Sequence, residues 1–527
     1  MSTNLTSHGG IPFAREVRKV YQEGQTDYYI EPLLRTNPNG VALGRIGKND
    51  SVIFCCRRGE REIELTEAFT EDGFSHFSRE KIENLYFSIL TMYHEKFRNL
   101  PVAFAPSKIT KTLAEVISAA NRSQFHCAES EKFAHVTFFL NGGNNQPFLG
   151  EIDDRIPSPQ GIPFEQVPAL SLETVTQHIL AAIKTRYDFI VTNFANGDVI
   201  GHTSNTEAKI KCAEYVDTAL QEVVESAFEN NYVVLITADH GNLEELLTKD
   251  GKPHVSHTTN QVPFFLINPQ IKNQVSPKNG KLADIAPTIL QIMNIQKPDE
   301  MSGLTLLDPF FSAEHRKVML IILDGWGLAP QNENNPIFVA KTPYWDYLNQ
   351  KFHCALLDAS EEAVGLQPGK AGNSEAGHMN IGAGRIVPQD DVRLDLAMSD
   401  GSFFTNEIFL KAIDHTRTNQ SNLHLIALLT EKSSHGSIDY PLALLKLAKD
   451  QGLQEVYVHL IFDGRSTEPG SAPDLLEKME VMMSEIGLGQ IVTGVGRGIA
   501  LDRDGNYAKI QKTYDALVNG QGRKIIG

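Results

Sequence analysis

Several short apolar runs in this chain are followed at once by side chains that can bind a metal. Asp324 follows Val318–Leu323, Asp239 and His240 follow Val233–Thr237, and Asp198 and His202 follow Phe189–Thr192. Asp198 and His202 are four residues apart, which on a helix puts both on one face. A carboxylate oxygen with an imidazole nitrogen suits zinc or manganese. His257, in PHVSHTTN, offers another imidazole, and His254, three residues earlier, competes with it. Taken singly, each has a plainer explanation: an aspartate at a strand end caps the next helix, and an isolated histidine fills surface or core. The set together points to a metal centre.

Ser374 lies in GKAGNSEAGHMNIGAGR. Gly372, Gly377, Gly382 and Gly384 would let the backbone come close to a bound anion. A serine hydroxyl needs a base or a metal to act as a nucleophile at neutral pH. With no Ser-His-Asp spacing nearby, metal activation accounts for it better. A glycine-rich turn with a capping serine explains the segment alone equally well. The cations are suggestive too: Arg58 and Arg61 follow Val52–Phe54, Arg465 follows Val456–Phe462, Arg497 and Arg503 flank GRGIALDRD, and Lys132 precedes Val136–Leu140. Arginine forks bind carboxylate and phosphate bidentately, although each alone reads as a solvated charge.

The apolar runs just named, including Val136–Leu140, fit buried strands. Amphipathic stretches such as Glu207–Asn230 and Tyr440–Gln451 fit helices between them. Such alternation predicts an α/β fold with largely parallel sheets, in which ligands gather beyond the carboxyl ends of strands. A chain of 527 residues is long enough for two domains. Its formal charge of -17, from 48 basic and 65 acidic residues, argues against nucleic acid or an anionic membrane as the main partner. The five cysteines are Cys55, Cys56, Cys127, Cys212 and Cys354. They lack zinc-knuckle spacing and read as free thiols in a reducing compartment. Met1–Pro12 is polar and no apolar run is long enough to span a bilayer, so a cytoplasmic, monomeric protein is expected.

GNSEAGHMNIGAGR, LDGWG, ADHGN, SHTTN, NFANGDVIGHT and SEKFAHVTFFLNGG together resemble the cofactor-independent phosphoglycerate mutases of the alkaline-phosphatase superfamily. The order of the strings is exchanged relative to that family. Residues up to about 306 resemble its second part and residues from about 317 its first, so the chain reads as circularly permuted, the old termini joined through Asp308–Lys317. The resemblance implies a metal-binding phosphatase-like domain over 107–390. A smaller α/β transferase domain would be assembled from 391–527 and 1–106, with Val456–Phe462 and Val52–Phe54 in one core.

It further implies two divalent metal ions, manganese being the expected metal. Asp324, Ser374, Asp239 and His240 match the ligands of one ion, and Asp198, His202 and His257 those of the other. Ser374 matches the residue that is phosphorylated, with Lys132 beside the transferring group. His435, Arg465, Arg497, Arg503, Arg58, Arg61 and Lys132 match substrate-binding positions. The implied reaction interconverts 3-phosphoglycerate and 2-phosphoglycerate. This chain departs from the family where the glycerate is handled. GRSTEP replaces GRDTPP, putting Ser466 for an aspartate, and SHGSIDY replaces VHSHIDH, putting Ser437 for a histidine. VGRGIALDRD replaces SGRYYAMDRD, putting Gly498 and Ile499 for two tyrosines. A metal-dependent phosphatase on the same centre is therefore the alternative; Glu468 or Glu431 could instead stand in for the lost carboxylate and sustain the mutase step, although both also read as solvated loop residues.

Overall fold

The structure is a computed structural model describing residues 7–57, 59–106, 109–268, 276–307, 315–433 and 435–526. Arg58 and residues 308–314 of the joining segment lie outside the described residues. The chain divides into two compact units, one of Ser107–Val392 and one of Met1–Pro106 with Arg393–Gly527.

The contiguous unit is built on an eight-stranded sheet. Its order is Gly280–Lys281, Ala355–Asp358, Val262–Ile267, Val233–Thr237, Val318–Leu323, Phe189–Phe194, Gln124–Glu129, Glu151–Ile156. Only Val262–Ile267 runs against the rest. The strand Val318–Leu323 is central, in parallel register with Val233–Thr237 on one side and Phe189–Phe194 on the other. Every residue of these three strands is buried, as expected for strands covered on both faces. The helix Thr206–Glu229 covers one flank through Cys212, Val216, Leu220 and Val223, at the three- and four-residue spacing of a buried helical stripe.

The two-ended unit also has an eight-stranded sheet. Its order is Arg523–Ile526, Leu33–Thr36, Gln490–Gly496, Val456–Phe462, Leu423–Leu429, Ser51–Phe54, Tyr86–Thr91, Val102–Phe104. Strands from the two chain ends interleave. Leu423–Leu429 pairs with Ser51–Phe54, and Leu33–Thr36 is held between Gln490–Gly496 and Arg523–Ile526. Ile53 and Cys55 enter the core on one face, Val52 and Phe54 that on the other, the two-residue alternation of a strand. Val456–Phe462 and Ser51–Phe54 thus share one sheet, with Leu423–Leu429 between them.

One predicted strand is corrected. Val136–Leu140 is not extended: residues His135–Phe139 form a wide helical turn. Val136 and Leu140, one turn apart, are the members buried completely. The strand that precedes it is Gln124–Glu129, whose mixed sequence QFHCAE hid it from an apolar-run reading. Lys132 thus follows a strand, like the predicted metal ligands. Among the described residues no helix is long and apolar enough to cross a membrane, and all five cysteines are free thiols.

Candidate metal centre

The ligand-bearing turns meet because glycine lets their backbones touch. Asp324 follows its strand and is followed by Gly325, which has φ +71°. A Cβ at Gly325 would lie 2.7 Å from the Asp198 backbone, and one at Gly197 would lie 2.4 Å from the Asp324 carbonyl oxygen. These approaches bring the Asp198 turn, on the helix Asn196–Gly201, against the end of the central strand. Ser374 is the first residue of the helix Ser374–Ala383, capped by the Asn373 side chain, which accepts from the Ala376 amide. The glycines of this helix let it pack closely against neighbouring backbone. A Cβ at Gly377 would meet the Asp239 carbonyl oxygen at 2.6 Å, and one at Gly382 the Leu140 carbonyl oxygen at 1.9 Å.

Ser374 Oγ sits amid three of the predicted residues. Lys132 Nζ donates to it at 2.6 Å, and it lies 2.9 Å from His240 Nε2 and 3.1 Å from Asp324 Oδ1. The Lys132 ammonium also contacts Asp198 Oδ2 at 2.6 Å and Asp324 Oδ1 at 2.8 Å. Asp239 Oδ2 is buried without a hydrogen-bond partner and stands 3.6 Å from His240 Nε2. Beside this group, Asp198 Oδ1 lies 3.0 Å from His257 Nε2 and 3.2 Å from His202 Nε2, and the two imidazole nitrogens are 3.1 Å apart.

These residues fit metal ions on two counts. Three imidazoles place Nδ1 on a backbone carbonyl: His202 on Val255, His257 on Gly372 and His240 on Gly241. A proton on each Nδ1 leaves Nε2 with a lone pair directed inward. Two such lone pairs 3.1 Å apart repel unless a cation lies between them and the carboxylate. The charges agree. Burial opposes a positive charge at His240, yet Asp239, Asp324 and Asp198 favour one, the same field that would draw in a cation. Burial likewise opposes the ionised carboxylates, but Lys132 and the surrounding histidines hold Asp198 and Asp324 well below the usual carboxylate range. The pocket is a buried excess of negative charge. Such charges persist only when paired or coordinated.

Ligand atoms of Asp239, His240 and Asp324 lie within 4.8 Å of one another, as do those of Asp198, His240 and His257. His240 therefore bridges the two predicted sets, and His202 completes the second from its exposed side. His254 stays out, its Nε2 4.0 Å from Glu245. Residues the sequence reading missed support the centre. Asn193 donates to Asp324 Oδ2 at 2.6 Å, and His378 Nδ1 donates to the Ser374 carbonyl at 2.8 Å. His378 stands four residues after Ser374, a helical spacing that could have revealed it.

The predicted substrate residues of the two-ended unit are placed less uniformly. Arg497 is buried and donates to Asp463 Oδ1 at 2.6 Å and to Ser466 Oγ at 3.3 Å. Arg61 donates to the Leu501 carbonyl at 3.2 Å and to the Tyr28 hydroxyl at 3.5 Å. The Tyr28 ring packs where Gly498 lacks a side chain: a Cβ there would be 2.4 Å from Tyr28 Cε1. His435 lies against Glu62. Arg465 and Arg503 are exposed, and Arg58 is outside the described residues. Glu468 is exposed and Glu431 is an exposed partner of Lys478.

Comparison with known proteins matches residues 35–297 to the Metalloenzyme superfamily and residues 394–526 to the N-terminal part of BPG-independent PGAM. A sequence described as an N-terminus thus stands last in this chain. Relatives called 2,3-bisphosphoglycerate-independent phosphoglycerate mutase include that of Flavobacterium psychrophilum, 41% identical over 54% of this chain and 56% of the relative. The protein of Syntrophotalea carbinolica is 42% identical over 56% of this chain and 57% of the relative. That of Moorella thermoacetica is 41% identical over 55% and 56%. The match thus spans little more than half the length of these relatives. A crystal structure of Leishmania mexicana phosphoglycerate mutase at low cobalt concentration shares 27% identity over 52% of this chain and 53% of that one, with a TM-score of 0.40, too slight a likeness to bear an argument.

Proposed function

We propose that the chain is a phosphoglycerate mutase of the 2,3-bisphosphoglycerate-independent family with its parts in exchanged order, as its matches over residues 35–297 and 394–526 support, and that it interconverts 3-phosphoglycerate and 2-phosphoglycerate through a phosphoserine at Ser374. The observation that carries this reading is the Ser374 hydroxyl, buried within 3.1 Å of Lys132, His240 and Asp324. Asp324, Ser374, Asp239 and His240 would hold one divalent ion, and Asp198, His202 and His257 the other. Oxygen and imidazole donors without a thiolate favour manganese. Bound there, the ions would favour the serine alkoxide and neutralise phosphoryl oxygens.

The protein's own groups do the rest. Ser374 presents Oγ to phosphorus. Lys132 keeps its proton, since Asp324, Asp198 and Asp239 outweigh the burial that opposes its charge. It can therefore donate to the equatorial oxygens as charge builds there. The helix Ser374–Ala383 aims its amino end at the same charge. His435, Arg61 and Arg497, with Arg465, Arg503 and Arg58, bind the glycerate and its carboxylate. We further propose that the protein acts as a cytoplasmic monomer.

A second reading, a phosphatase, is favoured by Ser466, which is exposed and offers the acceptor hydroxyl no carboxylate. Incubating the purified protein with 3-phosphoglycerate and manganese distinguishes them. The expected product is 2-phosphoglycerate. Release of inorganic phosphate alone establishes the second reading, and the absence of both products overturns each.

A further inference from the structure

The buried stripe of the helix Thr206–Glu229 begins with a lysine. Lys209 stands one turn before Cys212, where an apolar residue would be expected, and only 1% of it is exposed. Lysine is almost never buried this far unless it is paired, yet among the described residues no carboxylate forms an ion pair with it. Burial pushes its pKa down to about 8, and Glu244 favours the charge only from further off. Glu244 itself is satisfied without the lysine. It accepts from the amides of Asn242 at 2.7 Å and Gly327 at 3.1 Å, from the Thr258 hydroxyl and from the Asn260 side chain at 2.8 Å. What Lys209 Nζ reaches is the His254 carbonyl, at 2.7 Å. That carbonyl belongs to a segment of the same unit in which Pro253, Val255 and Ser256 are exposed. The segment is tied at its ends, where the His254 amide donates to the Leu246 carbonyl at 2.7 Å and the Thr258 amide to the Gly241 carbonyl at 3.0 Å.

We propose that Lys209 is a positioning residue for the second metal ion, its ammonium holding the His254 carbonyl so that the neighbouring Val255 carbonyl and His257 stay where that ion needs them. This rests on the two-ion reading of the centre given above. The His254 carbonyl and the Val255 amide share one rigid peptide plane, so a bond to the first fixes the second. Only the rotations at Val255 then separate the lysine from the Val255 carbonyl, which accepts from His202 Nδ1 at 2.9 Å. That bond turns His202 Nε2 towards Asp198 Oδ1, 3.2 Å away, and His257 Nε2, 3.1 Å away. A hydrogen bond from a charged donor is roughly twice as strong as a neutral one, which suits a tie that must steady exposed backbone from beneath. Asp324, Asp239 and Ser374 stand on other elements, at the ends of two strands and the start of a helix. The lysine should therefore act on one ion and leave the other alone.

The test is a calorimetric titration of the metal-free, full-length protein with manganese, in wild type, K209M, K209R, H202A and the K209M/H202A double variant, with Tm measured before metal is added. Wild type is expected to bind two ions. K209M should keep the affinity of one and lower that of the other about 10- to 100-fold, the range found when a partner that orients a metal ligand is lost. Its metal-free Tm should not fall, since the charge removed is buried and Glu244 is satisfied without it. K209R keeps a donor and a charge and should bind the second ion more tightly than K209M. In the H202A background K209M should cost less than it does in wild type, because the histidine it helps to orient is gone. An unchanged second affinity in K209M overturns the assignment. So does an equal weakening of both ions with a lower metal-free Tm, which would make Lys209 an ordinary packing residue, or a K209R no better than K209M, or full additivity with H202A. Wild-type protein that binds fewer than two ions overturns the two-ion reading itself, and the role of Lys209 falls with it.

Discussion

Asp239 has the strongest claim on a metal of any side chain in the centre, because its Oδ2 is buried without a partner 3.6 Å from His240 Nε2. Replacing it by asparagine keeps the volume and removes the charge. Asp239→Asn is expected to lower turnover by at least 1,000-fold, of the order seen when a positioned catalytic group is lost, while the circular dichroism spectrum is retained. Chelation of the wild type should do the same, and manganese should restore it; full activity after thorough chelation would rule the metal centre out. At position 468 the expectation is the opposite. Glu468 is exposed, so Glu468→Gln should leave the ratio of isomerisation to phosphate release unchanged, and a shift in that ratio would make it the missing carboxylate. Residue types alone singled out Asp324, Asp239 and His240, whose ligand atoms the fold brings within 4.8 Å of one another, because each comes just after an apolar strand. They could not reveal Asn193, whose partner Asp324 is distant in sequence.

The helix Ser374–Ala383 carries the nucleophile on a close approach between backbones. Gly377→Ala would set a Cβ 2.6 Å from the Asp239 carbonyl oxygen. Overpacking of this kind typically costs about 1–3 kcal/mol, and the shift would be transmitted to Asp239 itself. The expected result is a lower Tm together with weaker manganese binding by calorimetry; normal metal affinity would show that the helix can move without its neighbour. Asn373→Ala removes the cap and should cost about 1 kcal/mol with the metal affinity kept. These helix glycines were visible in the sequence, but their purpose was not, since a glycine that admits an anion and one that admits a neighbouring carbonyl look identical there. The same ambiguity misplaced Val136–Leu140. A five-residue apolar run suits a strand or a helical turn, and the true strand, Gln124–Glu129, contains too many polar residues to declare itself.

Asp188 holds down the described end of the segment joining the exchanged parts. It accepts from the Ser123 amide at 3.0 Å and hydroxyl at 2.9 Å, with His315 at 3.2 Å and Lys317 at 3.4 Å. Burial opposes its charge, but these donors win and hold its pKa to about 2. The folded value lies below the ordinary carboxylate value of about 3.9, so its stabilisation is complete above that pH and is lost as the pH falls towards 2. Asp188→Asn should flatten the decline of Tm between about pH 4 and 2; an unchanged slope would show that the anchor carries no weight. The α/β class and the exchanged order were legible because sequence strings survive rearrangement. Strand neighbours were not, since pairing across hundreds of residues leaves no local trace.

That pairing sets a timetable for synthesis. Leu33–Thr36 leaves the ribosome long before both its neighbours, Gln490–Gly496 and Arg523–Ile526. At about 5–20 residues per second the strand waits on the order of 20 to 90 s for them, its edges open to wrong partners. Residues 107–392 can fold during that interval. The early segment, meanwhile, is a natural client for a holding chaperone, and its yield on expression should depend on one more strongly than that of relatives translated in the usual order.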